Sequence, residues 1–304
     1  MLSAVVLTKN EEKTIERCLK SLMFCDEIIV VDDGSTDGTV EHVYKVNKCR
    51  DRSRPVRTKV FQRKLARDFA GQRNFGMSKT SNEWVLFVDA DEEVTRELQR
   101  EIEVTLRQAQ GDNSRVMVSL TNHDKDAYYV RRRDFFWGKE LKYGEVRQIR
   151  LIGLIRLIRK DSGKWLGNVH EEFKVKSQKS KVKSLNSFLN HYPHQTLKEF
   201  IKDINDYSSI RAEELYNQGK NVNVIEIMFV PAIKFIYNYL INLGFLDGAP
   251  GFAYAFLMSF HSFLVRAKLY MLKSSMPFFS PSSPRHKPTA GPQEIGEKKV
   301  SSLL

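Results

Sequence analysis

Three short apolar runs near the start of the chain constrain its fold more than any other feature: Ala4–Leu7, Glu27–Val31 and Asn82–Val88. Each has the length of a strand and too little length for a helix, and their apolar runs suit strands buried on both faces. Between the first two, Asn10 precedes Glu11 and Glu12, a pattern that marks a helix N-terminus. Ile15, Cys18, Leu19 and Leu22 then follow at i, i+3, i+4 and i+7, one apolar helical face. After the second run, Val40, Val43 and Tyr44 open another helix. Strand, helix, strand, helix in this order predicts an α/β fold with a mainly parallel sheet and crossover helices.

The ends of these strands carry the chemistry. Val31 runs into Asp32-Asp33-Gly34-Ser35-Thr36-Asp37-Gly38-Thr39, and Val88 into Asp89-Ala90-Asp91-Glu92-Glu93. In open α/β sheets the ligand crevice lies at the carboxyl ends of the strands, where carboxylates can hold a base or a ribose. Asp, Gly, Ser and Thr are equally good turn formers and helix caps, so the first cluster alone leaves both readings open. Two carboxylates as close as Asp89 and Asp91 repel each other, and a divalent cation relieves that repulsion. Mg²⁺ and Mn²⁺ suit such oxygen ligands, completed by substrate phosphates. An acidic turn is the competing reading. Glu92 and Glu93 are expected to lead into the next helix, which begins near Thr95 with Leu98, Ile102 and Leu106 on one side.

Farther along, 45–58 is basic and irregular, suggesting a loop or an edge strand, and 110–126 is polar. A β-rich section runs from Tyr128 to about Val175. Within it Ile-Arg-Leu-Ile occurs at 149–152 and again at 155–158, and periodicity does not decide between strand and helix. Thr196 starts a helix to about Asn217 with a stripe of Leu197, Phe200, Ile201, Ile204, Tyr207 and Ile210, stopped near Gly219. Two apolar segments follow, Val224–Leu246 and Phe252–Leu272. Glu226, Lys234 and Pro231 interrupt the first, and Arg266 and Lys268 cut the second short of a span. Such mixtures suit helices lying in a bilayer interface or packing on a globular domain. Beyond Pro277 the chain is rich in Ser, Pro and Lys, and 276–304 reads as a disordered tail.

Charge narrows the partners. A formal net charge of +12 over 304 residues favours anionic ones. The basic residues are scattered and no RNA or DNA motif is present, which argues against nucleic acid. Cys18, Cys25 and Cys49 have no metal-type spacing, and Cys18 and Cys25 read as buried thiols of a reducing compartment. The N-terminus lacks the pattern of a signal peptide, so a cytoplasmic protein is expected.

Taken as an ordered set, VVLTKNEE, VVDDGSTDGT, GQRN (71–74) and WVLFVDADE (84–92) resemble glycosyltransferase family 2, whose nucleotide-sugar-binding fold is termed GT-A. The closer likeness is to the branch that includes lipopolysaccharide-core β-glucosyltransferases. That resemblance implies a nucleotide-sugar pocket beginning at Thr8 and Glu11, with Asp33 facing the nucleobase or ribose. Arg73 would lie near the diphosphate, Asp91 would ligate the Mg²⁺ or Mn²⁺, and Asp89 would contact ribose or the metal. RRRDFFWGK (131–139) and GKWLGNVHEE (163–172) look like the branch's acceptor side, where rings stack on sugars and cations hold phosphates. There His170 could be a further metal ligand and Glu171 the base, while the departure from the branch at Tyr143-Gly144-Glu145 keeps Glu145 as a rival. Phe245-Leu246-Asp247-Gly248 resembles the branch's linker to membrane-associated helices.

The expected layout is a glycosyltransferase domain over 1–195, with its nucleotide-sugar half at 1–95 and acceptor-side section at 127–175, then a membrane-associated helical region at 196–275. The implied function is inverting transfer of a hexose from a nucleotide sugar, UDP-linked by expectation, to a hydroxyl of a lipid-linked or cell-envelope glycan. Attachment is expected to be peripheral or monotopic, to the anionic inner face of the cell membrane. The competing function is a non-catalytic membrane-surface binding protein on the same scaffold.

Overall fold

The computed structural model describes residues 1–48, 56–66, 68–109, 125–167, 171–176, 181–193 and 196–274. The expected tail at 276–304, together with Cys49 and His170, lies outside them. The chain forms two compact units that interleave in sequence. Among the described residues, one comprises Met1–Tyr128 and Ile155–Lys183; the other comprises Tyr129–Leu154 and 184–274.

In the first unit β1 (Leu2–Thr8), β2 (Glu27–Asp32), β3 (Arg57–Gln62) and β4 (Trp84–Asp89) lie in the order β3-β2-β1-β4, all parallel. The crossovers are α1 (Ile15–Ser21), α2 (Thr39–Lys48) and α3 (Phe69–Lys79). This is the α/β class read from the apolar runs. Register then does the positioning: Thr8 pairs with Asp32, and Leu7 with Asp89, so the strand ends that turn into carboxylates stand side by side. Val5, Ile29, Val31 and Phe87 form one core with Phe61, Met77, Trp165 and Phe173.

Two expectations are corrected here. Helix α1 starts at Ile15, later than Asn10-Glu11-Glu12 suggested. The amides of Asn10, Glu11 and Glu12 donate instead to Ser35, Thr39 and Asp37, which laces the loop after β1 to the loop after β2. Glu92 does not lead into a helix either. It belongs to the short strand β5 (Glu92–Val94), fully buried, and α4 (Arg96–Ala109) begins after it.

In the second unit β6 (Lys125–Phe136), most of which belongs here, pairs antiparallel with β7 (Lys139–Leu141) through the two-residue turn Trp137-Gly138. Both turn residues have positive φ, +51° and +74°, as a tight hairpin with right-handed strand twist requires. A five-residue helix α5 (Arg147–Leu151) holds the first three residues of the first Ile-Arg-Leu-Ile, while the second lies in β8 (Leu154–Arg159), antiparallel to β4. Then come β9 (Gly163–Leu166) and β10 (Glu172–Val175), which like most of β8 belong to the first unit, and, mostly or wholly in the second, β11 (Lys181–His191), α6 (Leu197–Asn217), α7 (Val224–Ile236) and α8 (Gly248–Ser274). Thr196 and Glu199 close α6 with a reciprocal capping box. Phe136, Leu141, Val146, Phe200, Ile204 and Leu257 make the second unit's core.

Helix α7 behaves differently. Of its residues only Pro231 is buried, while Ile225, Met228, Phe229 and Ile233 are all more than half exposed. Val224–Ile241 and Gly244–Ser274 are each long and apolar enough to cross a membrane, with mean hydropathies of 1.6 and 1.2.

Candidate active site

The site grows from the carboxyl ends of β1, β2 and β4. Asp32 is fully buried and accepts hydrogen bonds from Gly34 N at 3.0 Å and from the Ser35 amide and hydroxyl, so it builds the turn. Asp33 is the outward one. Its carboxylate accepts from Lys9 Nζ and from Leu65 N, each at 2.6 Å. The neighbouring Thr8 hydroxyl is buried and makes no hydrogen bond among the described residues. Glu11 accepts from the Thr14 hydroxyl and sits beside Thr39 rather than opening a helix.

The Gln72-Arg73-Asn74 stretch occupies α3, where successive side chains point about 100° apart and can serve three neighbours. Gln72 and Arg63 exchange two hydrogen bonds of 2.6 Å. Asn74 exchanges two with the backbone of Trp165, pinning β9 to the helix. Arg73, buried, donates from Nε to Glu171 Oε1 at 2.8 Å and from Nη2 to Asp89 Oδ1 at 3.1 Å. Its guanidinium lies 5.0 Å from the Trp165 ring centroid and 5.8 Å from that of Phe87, which keeps water from it.

A second arginine was missed in the sequence. Arg156 projects from β8 and donates to Asp89 Oδ2 at 2.7 Å and to Glu92 Oε1 at 2.8 Å. Burial works against its charge, but Asp89 and Glu92 outweigh that and push its pKa up. Glu92 in turn accepts from the Asp89 amide at 2.9 Å, which shapes the Asp89–Asp91 turn. The available signal was a lone charge inside an apolar strand, Leu-Ile-Arg-Leu-Ile, since a buried charge must find a partner. Cys18, beneath the turn, has its thiol pushed well up by burial and by Glu92, Asp91 and Asp89.

Asp89, Glu92 and Glu171 therefore gather around Arg73 and Arg156, with Asp91 in the adjoining turn. Counting Arg17, which acts on Cys18 together with Asp89, Asp91 and Glu92, three guanidiniums face four carboxylates and leave a formal charge of −1. That excess suits one divalent cation. The donor chemistry fits a hard ion: Asp91 offers a half-buried carboxylate in the turn, and Asp89 is already oriented. Among the described residues no set of three His, Cys, Asp or Glu side chains forms a cage, so such an ion would share its remaining positions with substrate oxygens and water. Of the expected site residues, Arg73, Asp89, Asp91 and Glu171 come together here; Thr8 and Asp33 stand at the adjacent strand ends. Glu145 belongs to the second unit, where both its oxygens are engaged, by Lys234 Nζ at 3.0 Å and Asn238 Nδ2 at 3.1 Å.

Comparison with known proteins adds a family. The profile described as Glycosyl transferase family 2 matches residues 3–165. The lipopolysaccharide core biosynthesis glycosyltransferase LpsC of Rhizobium meliloti is 30% identical over 271 residues, covering 88% of this chain and 92% of its own. An uncharacterised glycosyltransferase of Rickettsia typhi is 28% identical over 88% of this chain and 86% of its own. Among solved structures, the mannosyltransferase PcManGT of Pyrobaculum calidifontis with GDP-Man and Mn²⁺ covers 90% of this chain and 87% of its own, at a TM-score of 0.46 and 15% identity.

Proposed function

The chain belongs to glycosyl transferase family 2, and from that premise we propose that it transfers a hexose from a UDP-linked sugar to a hydroxyl of a lipid-linked or cell-envelope glycan, with inversion. The observation that carries the reading is the Arg73 fork, which ties Glu171 to the carboxylate that opens the Asp89-Ala90-Asp91 turn. The name of LpsC supports an envelope glycan as acceptor.

Thr8 and Asp33 bind the nucleoside end of the donor, the first through its hydroxyl, which makes no hydrogen bond among the described residues. Asp91, with Asp89 beside it, would hold Mg²⁺ or Mn²⁺. The bound ion supplies charge neutralisation where the leaving diphosphate becomes most negative. Glu171 takes the proton from the acceptor hydroxyl. The oxygen then forms its bond to the anomeric carbon as the carbon–oxygen bond to the diphosphate breaks, and the electron pair leaves with the nucleotide. One displacement inverts the centre. Glu171 is preferred to Glu145 as base because it sits in the carboxylate cluster and Arg73 orients it.

Attachment to the inner membrane face is part of the same proposal. It is supported by the exposed apolar length of Val224–Ile241, of which 6% is buried, and by the net charge of +12.

The test is nucleotide release by the purified chain against UDP-, GDP- and dTDP-sugars, with and without Mn²⁺. Release or binding with one donor is expected, abolished by Asp91→Ala. Transfer that survives Asp91→Ala unaltered overturns the metal role, and no donor binding across the panel overturns the enzyme.

A further inference from the structure

Within the second unit, one face of β6 gathers more positive charge than it neutralises. Along a strand alternate residues share a face, so Arg131, Arg133 and Phe135 point one way, and Arg132 and Asp134 the other. The inward pair is matched: Arg132 Nη2 lies 2.9 Å from Asp134 Oδ1. The outward set is not. Arg133 and Arg150, the latter from α5, both converge on Glu140, and Arg150 donates to it. Phe135 pairs with Glu140 in the β6–β7 register, which fixes that carboxylate on the same face.

An aromatic floor lies under the arginines. The Arg133 guanidinium is 4.3 Å from the centroid of Phe188, and that of Arg150 is 5.2 Å from it. Just past the end of β11, Tyr192 stacks on Phe135 at 4.9 Å with a 17° interplanar angle. Gly153 makes the arrangement possible. A Cβ there would lie 2.5 Å from Val130 O and 2.9 Å from Arg131 N, so only glycine lets the chain after α5 lie against β6.

Arg133 and Arg150 thus converge on one carboxylate, and with Arg131 on the same strand face these four groups carry a formal charge of +2 beside stacked rings. The Nε atoms of Arg131 and Arg133 are buried and without a hydrogen bond among the described residues. Like charges held this close repel, and a bound anion relieves the repulsion. The guanidinium fork matches a phosphate or a carboxylate with two parallel hydrogen bonds, and flat rings suit a pyranose.

We infer that Arg133 and Arg150, over the Phe188 ring, form with Arg131 of the same strand face a subsite for an anionic sugar, holding a phosphate or carboxylate carried by the acceptor. The inference rests on the glycosyl-transfer reading and adds that the acceptor is charged at this sugar.

The probes are glucose 6-phosphate, glucuronate and glucose, titrated by calorimetry into the full chain, with UDP and Mn²⁺ titrated into the same preparation. One or both charged sugars are expected to bind roughly tenfold or more tighter than glucose, with the preference weakening as salt rises. Which one does so separates phosphate from carboxylate. Arg133→Ala with Arg150→Ala should erase the preference while UDP binding persists. Arg133→Lys with Arg150→Lys, which keeps the charge and the packing on Phe188, should retain only part of it. Equal binding of charged and neutral sugars, no sugar binding, or a preference that survives the alanine pair overturns the subsite. Loss of UDP binding in the unaltered chain counts against the donor reading instead, so the two failures are told apart.

Discussion

Arg156 Nη2 donates to Glu92 Oε1 at 2.8 Å, joining a guanidinium 4% exposed to a carboxylate with no exposure at all. Removing one partner of such a pair strands the other charge in a medium that solvates it poorly, at a cost of about 3–5 kcal/mol. Arg156→Met should therefore lower unfolding free energy in urea by about that amount. The double variant Arg156→Met with Glu92→Leu should recover part of the loss, because no charge is then buried at position 92. A single variant within about 0.5 kcal/mol of the parent would contradict the pairing.

Arg73 holds Glu171 and Asp89 at once, and only a planar fork can do both. Arg73→Lys reaches one carboxylate or the other and leaves Glu171 free to turn away. Turnover, read as nucleotide release, should fall about 10²-fold or more, since displacement of a reacting group by an ångström costs that much. Donor affinity, measured on the same protein with UDP, should change far less. A lysine variant with unaltered turnover would remove Arg73 from the positioning role.

Strands β1, β2 and β4 were legible because they are continuous apolar runs bounded by turn residues, and α1 and α2 because they show a 3.6-residue stripe, whereas β3, with the mixed sequence RTKVFQ, and α3 were not read. The carboxylate pair Asp89 and Asp91 was legible for the same reason, standing at a strand end. What stayed hidden was long-range. Ile-Arg-Leu-Ile at 149–152 lies mostly in α5 with its last two residues exposed, whereas at 155–158 it lies in β8, where Leu157 pairs with Leu86 and Ile158 with Val85. Four identical residues carry no local preference that separates these outcomes. Gly153 between them, at φ +89°, ends the helix, and β4 supplies the partner that makes the second copy a strand. Glu92 was misread on the same account, since its partner Arg156 is 64 residues away.

Gly76 sets how closely α3 can lie on the sheet. A Cβ there would stand 2.4 Å from Val5 Cγ1 and 3.2 Å from Val31 Cγ2, and both valines are buried in β1 and β2. Valine methyls on buried strands have nowhere to go, so Gly76→Ala overpacks the seam. The expected loss is about 1–3 kcal/mol, read as a lowered thermal midpoint. The shift of α3 should also move Arg73, so donor turnover should fall with stability. An alanine variant as stable as the parent would mean that the helix has slack.

Asp134 makes stability depend on acid. Burial alone would push its carboxyl up, but Arg132 and His191, whose Nδ1 is 2.6 Å away, reverse this and hold it at about 2, below an ordinary 3.8. The folded form thus keeps the charge better than the unfolded chain does. The stabilisation, on the order of 2 kcal/mol, is fully present above pH 4 and is lost as pH falls toward 2. Asp134→Asn should flatten that part of the unfolding profile. If parent and variant lose stability in parallel between pH 4 and 2, the carboxylate is not responsible.

Helix α7 offers the most direct check on membrane attachment. Ile225, Phe229 and Ile233 are 67%, 58% and 61% exposed, on a helix that buries only Pro231. Each such side chain gains about 1.5–3 kcal/mol when fully removed from water, so three together outweigh what scattered surface charge can supply. Replacing all three by asparagine should weaken partition onto phosphatidylglycerol vesicles by well over 10²-fold. Because none of them is buried in the second unit's core, the thermal midpoint should hardly move. Raising salt should weaken binding of the parent only in part, as the apolar contribution is not screened. If the triple variant binds as the parent does, or if salt alone releases the parent completely, attachment rests on charge and the apolar face of α7 has another partner.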